Sequence, residues 1–284
     1  MDYNKKFIMS LIKKNLRNIL RFFKIPEKKV KPLWNWYIRK INIIQNFPKN
    51  LIFRKKCKKM NDLPIPSGDL IYLVANSSDL NWFFHSGKMG ADSIINILEK
   101  NNIMMRNFNA ILDFGCGIGR VLRHFSKIRG PKFFGCDYNP KLIHWCLKNI
   151  HFADFQLNLL EKKLNYPDEK FDFIYVLSVF THLKESQQFF WMTELSRILR
   201  PGGYMLITTH GKKYLPQLTP EGQKKFQNGN IVINNDEQTG TNICSAFHPE
   251  SYVRDILAKN LTVIDFIPEG AKGNPHQDAY LLKK

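Results

Sequence analysis

The chain lacks the features of membrane-spanning, secreted disulfide-rich and zinc-binding proteins. Its 284 residues contain no run of 18 or more apolar residues, so we expect no transmembrane helix. Lys13, Lys14 and Arg17 interrupt the apolar residues near the N-terminus and no small-residue cleavage site follows, so we expect no secretory signal. The five cysteines form no C-x-x-C pair and their number is odd, which disfavours a disulfide framework or a metal site. These absences favour a cytoplasmic protein without a bound metal.

Acidic residues are scarce in the first 60 positions. That segment holds 18 Lys and Arg residues against only Asp2 and Glu27, a net charge of +16. Residues 61–284 hold 25 basic against 22 acidic residues, a net charge of +3. We therefore divide the chain into a basic extension, 1–60, and a folded domain, 61–284, with the turn-forming residues 61–68 at the boundary.

The basic extension is predicted to be helical and amphipathic. Apolar residues recur at steps of three and four from Phe7 to Phe23, with cations on the opposite face, and Pro26 marks the end of this helix. A second segment, 32–47, mixes tryptophan, tyrosine and isoleucine with Arg39 and Lys40. Three interpretations remain open: peripheral attachment to the inner face of an anionic membrane, packing on the following domain, and nucleic-acid binding. The broad apolar face disfavours the last, because phosphate binding does not require it.

Residues 110–120 form the strongest motif in the chain. An apolar strand from about Ala110 carries Asp113 near its end and leads into a G-x-G-x-G turn. The turn residues are Gly115, Cys116, Gly117 and Gly119. Glycines allow the backbone to approach a ligand closely, and an amphipathic helix is predicted to follow. Its expected inner face is Val121, Leu122, Phe125 and Ile128. A dinucleotide pyrophosphate would be repelled by Asp113, whereas a cationic sulfonium ligand with an ammonium group would be attracted.

Polar side chains also follow the next two predicted strands. Asp137 ends the strand that begins at Lys132 and comes 18 residues after Gly119. This separation suits one crossover helix and a return to the neighbouring strand, where a carboxylate at the strand end can accept both hydroxyls of a ribose. Asp137 could instead only cap the helix that follows. Tyr138 is a candidate to cover an adenine or an ordinary surface aromatic. Asn158 follows the strand at 151–157 and is a candidate for the adenine edge or an ordinary loop residue.

Four segments, in this order, resemble the class I S-adenosylmethionine-dependent methyltransferases. They are LDFGCGIG at 112–119, GCD at 135–137, FDFIYVLSVFTHL at 171–183 and LRPGGY at 199–204. The resemblance covers about residues 70–284. It implies an α/β fold, a doubly wound, mostly parallel seven-stranded sheet of the Rossmann-like methyltransferase type with its last strand antiparallel. The basic extension lies outside it.

The resemblance also implies a cofactor, S-adenosylmethionine, and roles for individual residues. The glycine turn would hold its methionine part, Asp137 its ribose and the residue after the third strand its adenine. Asn158 stands where the family commonly has Asp. Ser178 begins a stretch that resembles the wall beside the reactive methyl group.

Local patterns upstream and downstream agree with this fold. Helices are predicted at 185–199 and 249–258, and closing antiparallel strands at 261–267 and 278–282. Residues 82–88 are predicted to precede a helix that runs to about Glu99. Within this segment, Ser86 and Gly87 either contact the methionine end of the cofactor or form the start of a capped helix.

Three histidines are candidates for a general base. His182 and His210 follow the fourth and fifth strands, and His276 precedes the last strand. Each could instead be structural, and the resemblance makes His182 partly a wall residue. Residues 212–247 exceed a minimal connection and include a candidate hairpin at 229–235. They could form a substrate cover or a plain surface excursion.

The preferred function at this point is methyl transfer to a hydroxyl of a small-molecule, sugar or lipid-linked acceptor. No Asn/Asp-Pro-Pro-Tyr/Phe motif follows the fourth strand, which disfavours methylation of a nucleobase amine. No metal-ligand cluster stands out, which disfavours a magnesium-dependent enzyme. The alternatives are an RNA methyltransferase that uses the basic extension, an inactive cofactor-binding scaffold and a nicotinamide oxidoreductase.

Overall fold

A seven-stranded sheet forms the centre of the computed structural model, which describes residues 27–56, 59–60, 63–273 and 276–284. The helix predicted within residues 7–23, and Pro26 after it, lie outside these residues. The strands are β1 Ala110–Phe114, β2 Lys132–Asp137, β3 Ala153–Leu157, β4 Phe171–Val176, β5 Leu199–Thr209, β6 Thr262–Ala271 and β7 Gln277–Lys283. Their order across the sheet is β6-β7-β5-β4-β1-β2-β3. Only β7 is antiparallel to its neighbours, which confirms the predicted doubly wound fold.

Helices flank the sheet and extend the chain at its N-terminal side. They are α1 Glu27–Lys56, α2 Gly68–Ala75, α3 Leu80–Lys100, α4 Pro140–Asn149, α5 Glu185–Ile198, α6 Pro220–Gln227 and α7 Glu250–Tyr252, which continues as a π-helical turn at Val253–Leu257. Single 3₁₀ segments occur at Met105–Asn107, Leu122–Phe125, Phe180–His182, Lys212–Gln217 and Asp236–Gln238. Two short antiparallel ladders pair Lys59–Met60 with Leu63–Pro64 and Val232–Asn234 with Ser245–Phe247.

The central strands are apolar because both faces of the sheet are covered. Along β1, Leu112 packs into one buried cluster with α5, and Ile111 packs into a second cluster with α3 on the opposite face. This alternation follows from the two-residue period of a strand. Each buried Leu, Ile or Phe side chain contributes on the order of 1.5–3 kcal/mol to folding. The strand order reverses between β1 and β4, so a crevice opens beyond their carboxyl ends.

Two local predictions are wrong. The glycine turn, with positive φ at Gly115, Gly117 and Gly119, is followed by the 3₁₀ segment Leu122–Phe125 and not by an α-helix. Val121, Leu122 and Phe125 still form a buried inner face. Residues 82–88 lie inside α3 and do not precede it, since α3 begins after Asp79, whose side chain accepts a hydrogen bond from Trp82 N at 3.0 Å.

The predicted hairpin at 229–235 supplies only one strand, Val232–Asn234, and its partner strand comes from residues 245–247.

Helix α1, the described part of the basic extension, packs against α2 and α3. Its Arg39 lies 3.0 Å from Asp69, and Asn42 Oδ1 accepts a hydrogen bond from Ser78 N at 2.8 Å. Phe53 stacks on Phe84 with ring centroids 5.5 Å apart. Among the described helices, none combines the length and apolar content needed to cross a bilayer.

Candidate functional site

A cleft of about 1380 Å³ opens at the carboxyl ends of the parallel strands. Most of the predicted cofactor-site and base candidates lie together at this cleft, and the exceptions are Ser86, Gly87, Gly119 and His276. The candidates that line the cleft are Asp113, Gly115, Cys116, Gly117, Asp137, Tyr138, Asn158, Ser178, His182 and His210. Strand ends from β1 through β5 meet here because parallel strands place their carboxyl ends at one edge of the sheet.

The glycine turn is shaped by left-handed backbone and close packing. Gly115 N and Cys116 N both donate to Cys136 O, at 2.9 and 3.0 Å, so the turn folds back over β2. Gly115 has φ of +80°, and a Cβ there would lie 2.3 Å from Val179 Cγ2. Gly119, with φ of +67°, lies outside the cleft lining and packs against Ile150. These positions require glycine for conformational and steric reasons.

Asp137 joins the turn to the second strand. Its Oδ2 accepts from Gly117 N and its Oδ1 from Asn139 N, both at 2.9 Å. Burial raises the pKa of Asp137, and the backbone N–H groups of Asn139, Gly117 and Tyr138 oppose that rise. A carboxylate has about four lone-pair sites, so each oxygen can still accept from a ligand hydroxyl. Asp137 does not cap α4, because Asn139 is the residue whose side chain does so.

Asp113 is a buried carboxylate with an unfilled acceptor. Its Oδ2 has no hydrogen-bond partner among the described residues. Burial raises the pKa of Asp113 to about 7, while the adjacent Tyr175 hydroxyl and the Arg120 charge oppose the rise. Arg120 is also buried, and its Nη1 donates to Ser86 Oγ at 3.0 Å. A buried acid and a buried guanidinium therefore lie beside the glycine turn, where a zwitterionic ligand would find opposite charges.

Asn158 and Tyr138 border the other end of the cleft. Asn158 is buried, its backbone N–H donates to Asp137 O at 3.1 Å, and its side-chain Oδ1 has no partner in the described chain. An orphaned buried amide oxygen is costly unless a ligand donor reaches it. Tyr138 is 41% exposed, so its ring is accessible from the cleft.

Ser178 occupies a strained turn held by a side-chain network. Its φ is +60°, an uncommon value for a residue with a side chain. Ser178 N donates to Thr208 Oγ1 at 2.8 Å, and Ser178 Oγ accepts from Gln277 Nε2 at 2.8 Å. Gln277 Oε1 in turn accepts from Thr208 Oγ1 at 2.7 Å. The network ties the ends of β4, β5 and β7 together and fixes this wall of the cleft.

His182 is oriented with one nitrogen available. Its Nδ1 lies 2.8 Å from Cys244 O, and because a carbonyl can only accept, Nδ1 carries the hydrogen. The neutral ring therefore has its lone pair on Nε2. Burial lowers the pKa of His182, so the ring is neutral near pH 7. Neutral imidazole with a free Nε2 lone pair is the form required of a general base.

The turn that carries His182 is buttressed from α5. Gln188 Nε2 donates to Phe180 O at 3.2 Å and to Leu183 O at 2.8 Å. Gln188 Oε1 lies 2.9 Å from Nε2 of His248, which is fully buried. Burial lowers the pKa of His248 to about 3, so its ring is neutral and Nε2 donates to the glutamine.

His210 lies at the end of β5 under residues 212–247. Its ring packs 4.3 Å from that of Tyr214 and 6.4 Å from that of His182, measured between centroids. Burial lowers the pKa of His210 to about 4, and the proximity of a second titratable ring, His182, adds to the lowering, which makes His210 a weaker base. Tyr214 and Ile243 line the cleft, so the long connection covers it.

Three further candidates, His276, Ser86 and Gly87, do not line the cleft. His276 is 45% exposed at its side chain, lies 3.7 Å from Glu269 and does not line the cleft. Ser86 and Gly87 are inside α3, where they contact Arg120 and not the cleft directly.

Four contributions to the site are absent from the sequence-based predictions, namely Arg120, Gln188, Gln277 and helix α1. The position of Arg120, directly after the third glycine, was an available signal. Trp34, Asn35 and Ile38 of α1 line the cleft, but no local pattern links them to it.

Comparison with known proteins also indicates a methyltransferase. Residues 112–207 match the sequence model of a family described as a methyltransferase domain. A mitochondrial ubiquinone biosynthesis O-methyltransferase of Dictyostelium discoideum is 29% identical over 122 residues, 38% of this chain and 37% of that protein. A fatty-acid O-methyltransferase of Mycolicibacterium smegmatis is 30% identical over 106 residues, 37% of this chain and 38% of that protein. The chain thus matches less than two fifths of the length of these relatives.

Among solved structures, an S-adenosylmethionine dependent methyltransferase from Mesorhizobium loti shares the fold. Its TM-score is 0.51 at 14% identity, over 69% of this chain and 100% of that one. The doubly wound sheet and the matched segment together define a methyltransferase domain. Residues 112–207 match a methyltransferase domain, and the sheet has the fold of the S-adenosylmethionine-dependent methyltransferases, whose cofactor is S-adenosylmethionine.

Proposed function

We propose that the chain transfers a methyl group from S-adenosylmethionine to a hydroxyl of a small-molecule, sugar or lipid-linked acceptor. The observation that carries the proposal is one continuous cleft. In it, two buried carboxylates and an orphaned amide oxygen lie at three neighbouring strand ends around a glycine turn. These groups are Asp113, Asp137 and Asn158.

Each part of the cofactor has a fitting partner in the cleft. Asp113 and Arg120 offer opposite charges to the ammonium and carboxylate of the methionine part. Asp137 accepts hydrogen bonds from the ribose hydroxyls, and Asn158 Oδ1 accepts from the adenine amino group. Hydrogen bonds to charged groups contribute about 1.5–3 kcal/mol each. Satisfying the two orphaned oxygens also removes their burial cost.

His182 is proposed as the base and Ser178 as part of the wall beside the transfer site. When bound, S-adenosylmethionine supplies an electrophilic methyl group. His182 Nε2 accepts the proton that the acceptor hydroxyl loses, and Cys244 O keeps the ring in the orientation that exposes this nitrogen. His210 is proposed to contact the acceptor, because its ring lines the cleft 6.4 Å from the ring of His182. Its low pKa leaves it neutral but weakly basic.

The acceptor end of the cleft favours a partly apolar molecule. Residues 212–247 contribute Tyr214 and Ile243 to the lining, and α1 contributes Trp34 and Ile38. The names of the two relatives, ubiquinone biosynthesis and fatty-acid O-methyltransferase, support a lipid-linked hydroxyl or carboxyl oxygen as acceptor. A cytoplasmic protein bound peripherally to the inner face of a membrane is the location that suits this acceptor.

Transfer of tritium-labelled methyl groups to fractionated cell material tests the function. We expect label in the lipid or small-molecule fraction with the unaltered chain, and a strongly reduced amount with His182→Gln. Label confined to RNA would favour the alternative suggested by the basic extension. Binding of S-adenosylhomocysteine without transfer to any fraction would instead favour an inactive scaffold.

A further inference from the structure

Helix α1 carries an apolar stripe on the face that points away from the domain, and no other described element of the chain buries it. The stripe residues recur at three- and four-residue steps, which places them on one side of an α-helix. They are Leu33, Trp36, Tyr37, Ile44, Phe47 and Leu51. Ile44 is 70% exposed and Phe47 is 62% exposed, although both are large apolar side chains. The opposite face of the same helix is the one that packs on α2 and α3.

The charge on α1 has one sign over the same length. Residues 33–56 contain six Lys and Arg residues and no Asp or Glu. Lys40, Lys49, Lys55 and Lys56 are exposed. Two copies of this face would repel each other, so a second copy of the chain is a poor occupant. A nucleic acid would use the cations but not the aliphatic stripe.

Helix α1 also borders the mouth of the cleft. Trp34, Asn35 and Ile38 line the cleft, and they alternate along the helix with the exposed Leu33, Trp36 and Tyr37. A surface that covers the stripe is therefore separated from the cleft lining by about the diameter of one helix, on the order of 10 Å.

We propose that α1 docks on a bilayer containing anionic phospholipid, so that the mouth of the cleft faces lipid and the acceptor is a molecule held in that bilayer. An interfacial helix has this combination of an apolar stripe with tryptophan and flanking lysines. Each cation near an anionic surface adds on the order of 1 kcal/mol. The identity of the acceptor class rests on the proposed function, whereas the docking surface does not.

Co-sedimentation of the full chain with vesicles tests the docking surface. The probe vesicles are phosphatidylcholine with about one third phosphatidylglycerol, compared with phosphatidylcholine alone. We expect the double variant Ile44→Gln/Phe47→Gln to bind the anionic vesicles about tenfold more weakly or worse. Lys40→Glu/Lys55→Glu, at exposed lysines three or four residues from stripe positions, should lose about as much on anionic vesicles and little on neutral ones.

The matched control changes two exposed isoleucines elsewhere, Ile256→Gln/Ile264→Gln, and should bind like the unaltered chain. All three variants should bind S-adenosylhomocysteine normally in calorimetry, which shows that they fold.

Several results would overturn the docking proposal. Equal vesicle binding by Ile44→Gln/Phe47→Gln and the unaltered chain is one. Failure of the unaltered chain to bind vesicles is another. In that case, binding of single-stranded RNA would point to a nucleic acid as the partner, and a dimer abolished by the same double variant would point to a second copy of the chain. If the unaltered chain binds vesicles but not S-adenosylhomocysteine, the proposed function fails while the docking surface stands. Labelled methyl transfer to a lipid extract in the vesicles should fall with Ile44→Gln/Phe47→Gln and not with the control.

Discussion

Replacing Asp137 by Asn is the substitution whose effect can be worked out most fully. In the unaltered chain the two carboxylate oxygens hold Gly117 N and Asn139 N at 2.9 Å each. An amide retains only one acceptor oxygen, so one of these N–H groups loses its partner and one ribose hydroxyl loses a charged acceptor. Loss of one charge-assisted hydrogen bond costs about 1.5–3 kcal/mol, or roughly a tenfold to hundredfold loss of affinity.

Titration calorimetry with S-adenosylhomocysteine measures this loss for Asp137→Asn. The unpaired backbone N–H should also lower the free energy of unfolding by about 1–3 kcal/mol in urea. Asp154→Asn, the same change at an exposed position on the neighbouring strand β3, is the control and should leave both quantities within about 0.5 kcal/mol. Unchanged ligand affinity in Asp137→Asn would refute the assignment of the ribose to this carboxylate.

The remaining predictions concern the pH dependence, the turn and the base. Because the pKa of Asp113 is about 7 and a ligand ammonium favours its ionised form, the affinity for S-adenosylhomocysteine should fall below pH 7 and level off above it. Calorimetry across this range should find that the affinity of Asp113→Asn does not change with pH. The same pH dependence of affinity in both proteins would contradict the prediction. Gly115→Ala should lower the free energy of unfolding in urea by about 2 kcal/mol or more, since φ is positive and the added Cβ would lie 2.3 Å from Val179 Cγ2. Gly202→Ala, also at positive φ but with open space, should lose only about 1 kcal/mol, and equal losses would count against the packing argument. His182→Gln should reduce kcat by about 10²–10⁴ with unchanged S-adenosylhomocysteine affinity, and a parallel loss of both would exclude a base.

The glycine turn and the strand ends were predictable because their signals are local. The strand at 110–114, the turn at 115–119 and the acid at 137 follow one another within a single strand–turn–strand unit, and each residue type has a short-range reason for its place. The pattern could not show that the turn leads into a 3₁₀ segment. The apolar spacing of Val121, Leu122 and Phe125 suits both kinds of helix, and the conformation is decided by tertiary packing.

The start of α3 illustrates how long-range contacts override local patterns. Gly87 is predicted to lie before the helix or at its start, but in the structure it lies mid-helix, where a Cβ would lie 2.3 Å from Arg120 O. The glycine is explained by a contact with a residue 33 positions away. The same limit applies to the buttress of His182, because Gln188 and His248 are 60 residues apart. No single-sequence pattern connects such pairs.

A structure of the chain in complex with S-adenosylhomocysteine tests the central claim most directly. We expect the ribose hydroxyls on the Asp137 carboxylate, the adenine amino group on Asn158 Oδ1 and the ammonium group beside Asp113. A nucleoside bound elsewhere, or one bound in this cleft with the two carboxylates turned away from it, would contradict the account.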